Sequence, residues 1–246
     1  MNRNIDFEQC KKCGAELNGN FCTVCGNPKT LKRIDGSYIL SEIVSVLNFD
    51  KGIFYTIKEL LFRPGKNVKQ FIHNDRNRLV KPIIFIIVCS LIYTLAEQFL
   101  HFENAYISAG GFKENATLNI LEWIQNNYGY SNLLMAIFIA IWIKIFFRKY
   151  DYNFFEILIL LCFVMGIGML IYTFFGILES VTQIQVLQIG GITGFIYISW
   201  AIGQFFNKRK KVNYLKGLLS YVLGMVTFFF VIVILGIGID SIQKML

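Results

Sequence analysis

Five apolar stretches, at residues 80–96, 131–147, 154–178, 184–206 and 214–239, restrict this chain more than any other feature. Each is long enough to cross a membrane, since about 20 helical residues cover the ~30 Å of hydrocarbon; the first two lie near the short limit. In hydrocarbon every backbone N–H and C=O must find a partner in the protein, and a helix supplies all of them within one segment. The expected fold is therefore all-α, a five-helix transmembrane bundle over residues 80–246. Composition agrees, because 55% of the 246 residues are hydrophobic and only 16% are charged. With a mean hydropathy of +0.52, the chain is too apolar for one ordinary soluble domain.

Cations set the expected orientation. Residues 48–81 hold eight Lys or Arg, residues 144–153 three and residues 207–213 four, all on one side of the alternating spans. The connections at 97–130 and 179–183 and the tail at 240–246 hold only Lys113 and Lys244. The positive-inside bias then predicts a cytosolic N-terminus and a C-terminus outside. A signal peptide is not expected, because no basic start followed by a short apolar run and a cleavage site opens at Met1. The net charge of +8 suits a protein facing anionic headgroups. Nucleic acid is not an expected partner, since the basic residues flank spans and build no separate basic domain. The outside loop carries Glu97, Glu103, Glu114 and Glu122, with Leu118, Leu121, Trp123 and Ile124 as a short interfacial helix and Tyr128 as an anchor.

Residues 1–29 carry a different signal. Cys10, Cys13, Cys22 and Cys25 form two CxxC pairs, each followed by glycine, at Gly14 and Gly26. Two thiolates three positions apart in a tight turn share one tetrahedral ion, and the glycine lets the backbone take a positive φ while its amides face sulfur. The pattern predicts a small zinc-ribbon-like knuckle. With only Phe7, Leu17, Phe21 and Val24 as its main apolar residues, metal ligation must supply the folding energy, about 10 to 16 kcal/mol for structural zinc. The alternatives are two disulfides, a redox CxxC or an iron site; disulfides need an oxidising compartment, against the expected cytosolic placement. Four cysteines leave no open position, so the zinc is read as structural.

Residues 30–79 join the two parts, as a basic linker followed by amphipathic helices. Ile39, Leu40, Ile43, Val44 and Leu47, then Ile53, Phe54, Ile57, Leu60 and Leu61, follow helical spacing, with a break at 48–52. Neither helix is long enough to span. They either pack on the knuckle or the bundle, or lie on the membrane with Lys51, Lys58, Arg63, Lys66 and Lys69 toward lipid phosphates. The joint itself reads RPGKNVKQFIHNDRNRLVKP over residues 63–82, a Pro64-Gly65 turn, a short helix with Val68, Phe71 and Ile72 on one side, and a basic tail. Arg63, Lys66, Arg76, Arg78 and Lys81 are candidate contacts to anionic phospholipid headgroups, at about 1 kcal/mol each. The plainer reading makes them topology signals only.

Within the spans, Asp, Glu, Lys, Arg and His are missing from the middles, which counts against proton-coupled carriers and intramembrane proteases. Lys144, Glu156 and Lys216 lie near span ends, and His73 and His101 are far apart. Motifs for metalloproteases, nucleophile elbows, nucleotide loops and dinucleotides are absent. Cys89 and Cys162 read as small apolar residues. Small residues mark helix packing instead: Gly190 with Gly194, Ser199 with Gly203, and Ser220 with Gly224, either within one bundle or between copies in a homo-oligomer.

The double CxxCG knuckle, RPGK at 63–66, Phe71-Ile72, Arg76 and Pro82 together resemble an uncharacterised bacterial membrane family, the domain-of-unknown-function family numbered 3667, best represented in Bacteroidetes. Departures are Asn74 where the family pattern has glycine, and Lys81-Pro82 where it has Asn-Pro. The resemblance runs from Cys10 to about Tyr93 and implies a multi-pass protein of the bacterial inner membrane. In layout the chain is also similar to the Yip family of five-span, membrane-shaping proteins, which does not establish function. The expected role is a non-enzymatic anchor or organiser whose knuckle docks a cytosolic protein. A small-molecule or lipid transporter and an interfacial membrane enzyme are the alternatives.

Overall fold

The computed structural model describes residues 8–17, 19–29, 36, 52–102, 120, 123–124 and 127–243. The helix expected around Ile39 to Leu47, most of the loop at 97–130 and the tail at 244–246 lie outside them. In chain order the elements are β1 (Glu8–Gln9), β2 (Glu16–Leu17), α1 (Ile53–Phe62), α2 (Pro64–His73), α3 (Pro82–Leu100), α4 (Tyr128–Phe146), α5 (Phe154–Thr182), α6 (Leu187–Asn207) and α7 (Lys211–Gln243). The strands pair antiparallel, Glu8 opposite Leu17 and Gln9 opposite Glu16.

Helix starts follow local chemistry. Pro64 and Pro82 stand in the first turns of α2 and α3, where a missing N–H costs nothing. Asn153 and Glu156 close a capping box on α5, with Asn153 Oδ1 accepting from the Glu156 amide at 2.8 Å and Glu156 Oε2 accepting from the Asn153 amide at 2.7 Å. The start of α6 is capped from another helix. Glu179, in the last turn of α5, accepts from the amides of Val186 at 2.8 Å and Leu187 at 2.6 Å, which answers two of the orphan donors of a helix start.

Among the described residues four helices, α3, α5, α6 and α7, are long and apolar enough to cross a membrane. Five had been expected. The fifth expected stretch is α4, whose described apolar part, Tyr130–Phe146, is shorter. The bundle is centred on α5, where Ile157, Leu160, Phe163 and Val164 are buried. Around it α3, α6 and α4 make contact, and α7 closes the arrangement against α4 and α6.

The small residues let these helices approach. A Cβ on Gly190 would stand 2.5 Å from Phe175 Cβ, one on Gly203 2.6 Å from Tyr214 Cδ1, and one on Gly224 2.6 Å from Ile139 Cα. A Cβ on Gly194 would lie 3.4 Å from the Gly168 carbonyl oxygen, in ordinary contact. Ser199 and Ser220 are buried and return their hydroxyls to the carbonyls of Phe195 and Lys216.

The joint belongs to the same core. Leu60, Val68 and Phe71 are fully buried, and Phe71 meets Phe163 of α5 edge to face at 5.3 Å. Tyr197 of α6 donates to the Leu60 carbonyl at 3.0 Å, while Thr56 accepts from the Val80 amide at 3.0 Å. Packing thus runs without a break across residues 79 and 80, where the sequence suggested a domain boundary. Of the two readings for α1, its inner face packs on the bundle, yet Phe54, Tyr55, Leu61 and Phe62 remain exposed on the other. At this end the connections meet: Phe147 stacks on Phe206 at 3.9 Å, Tyr152 lies tilted against Phe205 at 4.6 Å, and His73 lies tilted against Tyr152 at 5.7 Å.

Gly224→Ala drives a methyl into the Ile139 backbone and should lower the melting temperature in detergent, equivalent to about 1 to 3 kcal/mol of overpacking. Gly191→Ala, with its nearest neighbour 3.8 Å away, should leave it unchanged or raise it slightly.

Candidate metal centre and the basic neck

Two nearly identical turns build the thiol cluster. In the first, the Gly14 amide donates to the Cys10 carbonyl at 2.9 Å and the Cys10 amide to Ala15 at 2.8 Å. The second repeats this, Gly26 to Cys22 at 2.8 Å and Cys22 to Asn27 at 2.8 Å. Both turns close through left-handed backbone, with φ of 76° at Gly14 and 71° at Gly26, a conformation glycine takes without a Cβ clash. Pairing of β1 with β2 and a bridge between Phe21 and Pro28 set the turns face to face.

The four Sγ atoms lie within 4.8 Å of one another. Cys10 to Cys25 and Cys13 to Cys22 are each 3.6 Å apart. A tetrahedral ion with ~2.3 Å bonds to sulfur sets sulfur–sulfur edges of roughly 3.8 Å, so the cluster fits one ion. Disulfides, which hold sulfurs at about 2.05 Å, are not formed. Four soft, closed ligands suit zinc or iron and leave no place for substrate.

Backbone amides prepare the sulfurs for this role. The N–H groups of Cys13 and Lys12 aim at Cys10 and hold its thiol down to about 6, and the Cys25 and Val24 amides lower Cys22. Cys25 goes the other way. Its Asn27 amide contact lowers it, but burial and the neighbouring sulfurs outweigh that and raise it to about 12. Without an ion the cluster therefore keeps a proton at neutral pH, which metal must displace.

The head is fastened to the joint. Lys12 Nζ pairs with Asp75 at 3.2 Å, and the Asn27 side chain donates to the Asn74 carbonyl at 3.3 Å. Both contacts fall on the corner that ends α2. Asp75 also accepts from the Asn77 amide at 2.9 Å, shaping the corner as an Asx turn. This acidic residue inside the basic tail is a contact the sequence reading passed over; its isolation among cations was the available signal.

The candidate headgroup residues separate into two groups. Arg63 and Lys66 are exposed on α2's first turn, whereas Arg76, Arg78 and Lys81 are half-buried. The Arg78 guanidinium is occupied within the protein, donating to Gln70 at 2.6 Å and Glu59 at 3.0 Å. Lys69 is part of the neck as well: its ammonium donates to the Phe206 carbonyl at 3.3 Å and lies over the Phe205 ring, and burial lowers its pKa. Burial, partly offset by Glu156, also lowers His73. Sequence reasoning missed Asn132 as well. It is buried, its Nδ2 has no partner among the described residues, and it lines a cavity of about 240 Å³ between α5, α6 and α7.

Replacing Cys10 and Cys13 with serine should take bound metal from about one ion per chain to none, read by elemental analysis of the purified protein. In the parent chain, metal retained after dialysis should fall as pH is taken below about 6, because there the ion-free Cys10 binds a proton and competes with the metal.

Residues 50–94 match the model of the family described as "Protein of unknown function (DUF3667)". The matched stretch holds α1, α2, the corner at 74–81 and most of α3, which is the joint and the helix it feeds. Neither the curated proteins nor the solved structures contain a match. The likeness to that family is thus carried by the joint and most of α3.

Proposed function

We propose that this protein is a non-enzymatic, multi-pass membrane anchor whose cysteine head carries one structural zinc ion and docks a cytosolic protein. The observation that carries the reading is the closed set of four sulfurs on a head bonded to the Asn74-Asp75 corner. Zinc is chosen over iron because the amide-stabilised thiolates sit in a head with almost no core, where a redox-inert ion serves as a staple. Phe21 and Val24, 64% and 74% exposed, give the head an apolar surface of the kind that marks protein contact.

In this reading α4 is the fifth span. Its 19 residues rise about 28 Å, close to the thickness of a hydrocarbon core. The gathering of the joint with the connections at 147–153 and 207–213 supports one cytosolic, cation-rich face in a bacterial inner membrane, with the C-terminus outside. Small-molecule or lipid transport is the second reading, favoured by the cavity at Asn132. Methionines, glycines and aromatic rings make up most of its wall, which supports a filled bundle over a polar path.

Two measurements test the anchor. An impermeant thiol reagent added to intact cells should label Lys113→Cys and leave Lys210→Cys unlabelled; the reverse pattern would invert the topology. A partner retained by the detergent-solubilised chain should be lost with Phe21→Ser and Val24→Ser while zinc content is unchanged. Retention by the double variant would remove the head as the docking surface.

A further inference from the structure

Two sets of cations that are far apart in sequence line one cleft of about 810 Å³. Arg63, Lys66 and Lys69 come from α2 and its lead-in; Lys208 and Arg209 come from the turn between α6 and α7; Gln204 also lines it. Among the described residues that line it, none is acidic. The walls are in contact at their base, where the Gly65 amide donates to Gln204 Oε1 at 2.8 Å and a Cβ on Gly65 would lie 2.6 Å from the Gln204 backbone. On the other wall Asn207 accepts from the Arg209 amide at 3.0 Å. The cations are thus presented by fixed elements.

On the α2 wall the placement is locally unfavourable: its first turn holds no acidic residue and no side-chain cap, so Arg63 and Lys66 add to the positive end of the helix dipole. On the other wall Lys208, the C-cap of α6, and Arg209 lie between the favourable end of α6 and the positive start of α7. Such an arrangement is relieved by an anion, which helix starts and clustered cations both attract. Where local chemistry is set against itself in this way, a functional demand is the usual cause. The apolar surroundings indicate where the anion comes from. Phe62 beside Arg63, and Val212 and Leu215 just past Arg209, are 71%, 61% and 56% exposed, an aromatic and aliphatic border suited to acyl chains next to a polar headgroup.

We propose that this cleft is a binding site for the headgroup of an anionic phospholipid, its phosphate held between Arg63, Lys66 and Lys69 on one wall and Lys208 and Arg209 on the other. Its volume falls in the range of pockets that take a whole small ligand, above what a lone phosphate needs. The site rests on the membrane reading above and needs neither the zinc ion nor a protein partner. It also redraws the headgroup set, because Arg76, Arg78 and Lys81 do not line the cleft.

The test uses the full chain in uncharged detergent, titrated with dihexanoyl phosphatidic acid, dihexanoyl phosphatidylcholine and pyrophosphate and followed by calorimetry. Phosphatidic acid should bind roughly tenfold or more tighter than phosphatidylcholine, and Lys66→Gln with Arg209→Gln should abolish that preference. Arg148→Gln with Lys149→Gln, exposed cations on the neighbouring turn, should preserve it. Equal binding of the two lipids, or equal loss in the control pair, would overturn the site. Pyrophosphate binding as tight as phosphatidic acid, with the same loss in the cleft variant, would overturn the lipid source and assign a soluble phosphate compound. Zinc content and membrane insertion, measured on the same samples, separate failure of the cleft from failure of the anchor.

Discussion

The seating of α2 across the end of α6 is the contact on which the arrangement depends. Gly65 lies so close to the Gln204 backbone that only hydrogen fits in place of a side chain. That approach lets Val68 and Phe71 reach the rings of the bundle. With α2 fixed, its C-terminal corner is fixed too, and Asn74 and Asp75 become the shelf on which the cysteine head rests. Head, neck and bundle are therefore linked by bonds at each step. The stretch that the family model matches, residues 50–94, is the part that makes most of these links.

Much of this was legible in the sequence. Hydrophobic runs placed four membrane-length helices within a few residues, because hydrocarbon leaves a chain no other economical way to satisfy its backbone. The spacing of Cys10, Cys13, Cys22 and Cys25 located the thiol cluster, since turn geometry and tetrahedral ligation are local. Val68, Phe71 and Ile72 were placed on one side of a short helix, and all three are buried.

What was not legible depends on distant partners. Arg78 reads as a membrane-facing cation until Glu59 and Gln70 are brought beside it. Lys208 and Arg209 look like topology signals, and only the fold sets them opposite Lys66. The second apolar stretch, expected at 131–147, is the helix α4 at Tyr128–Phe146, shorter over its apolar part than the four membrane-length helices. The tie from Lys12 to Asp75 crosses more than sixty positions, a distance over which periodicity carries no information.

The cap that Glu179 places on α6 bears on how the polypeptide is made. The amides of Val186 and Leu187 are satisfied by a carboxylate on the preceding helix, so the start of α6 is stabilised once α5 has ended beside it. The pair behaves as one hairpin. Its tip carries a negative charge and no lysine or arginine between residues 179 and 186. During biosynthesis the two helices would be handed to the lipid together, led by a turn already folded on itself.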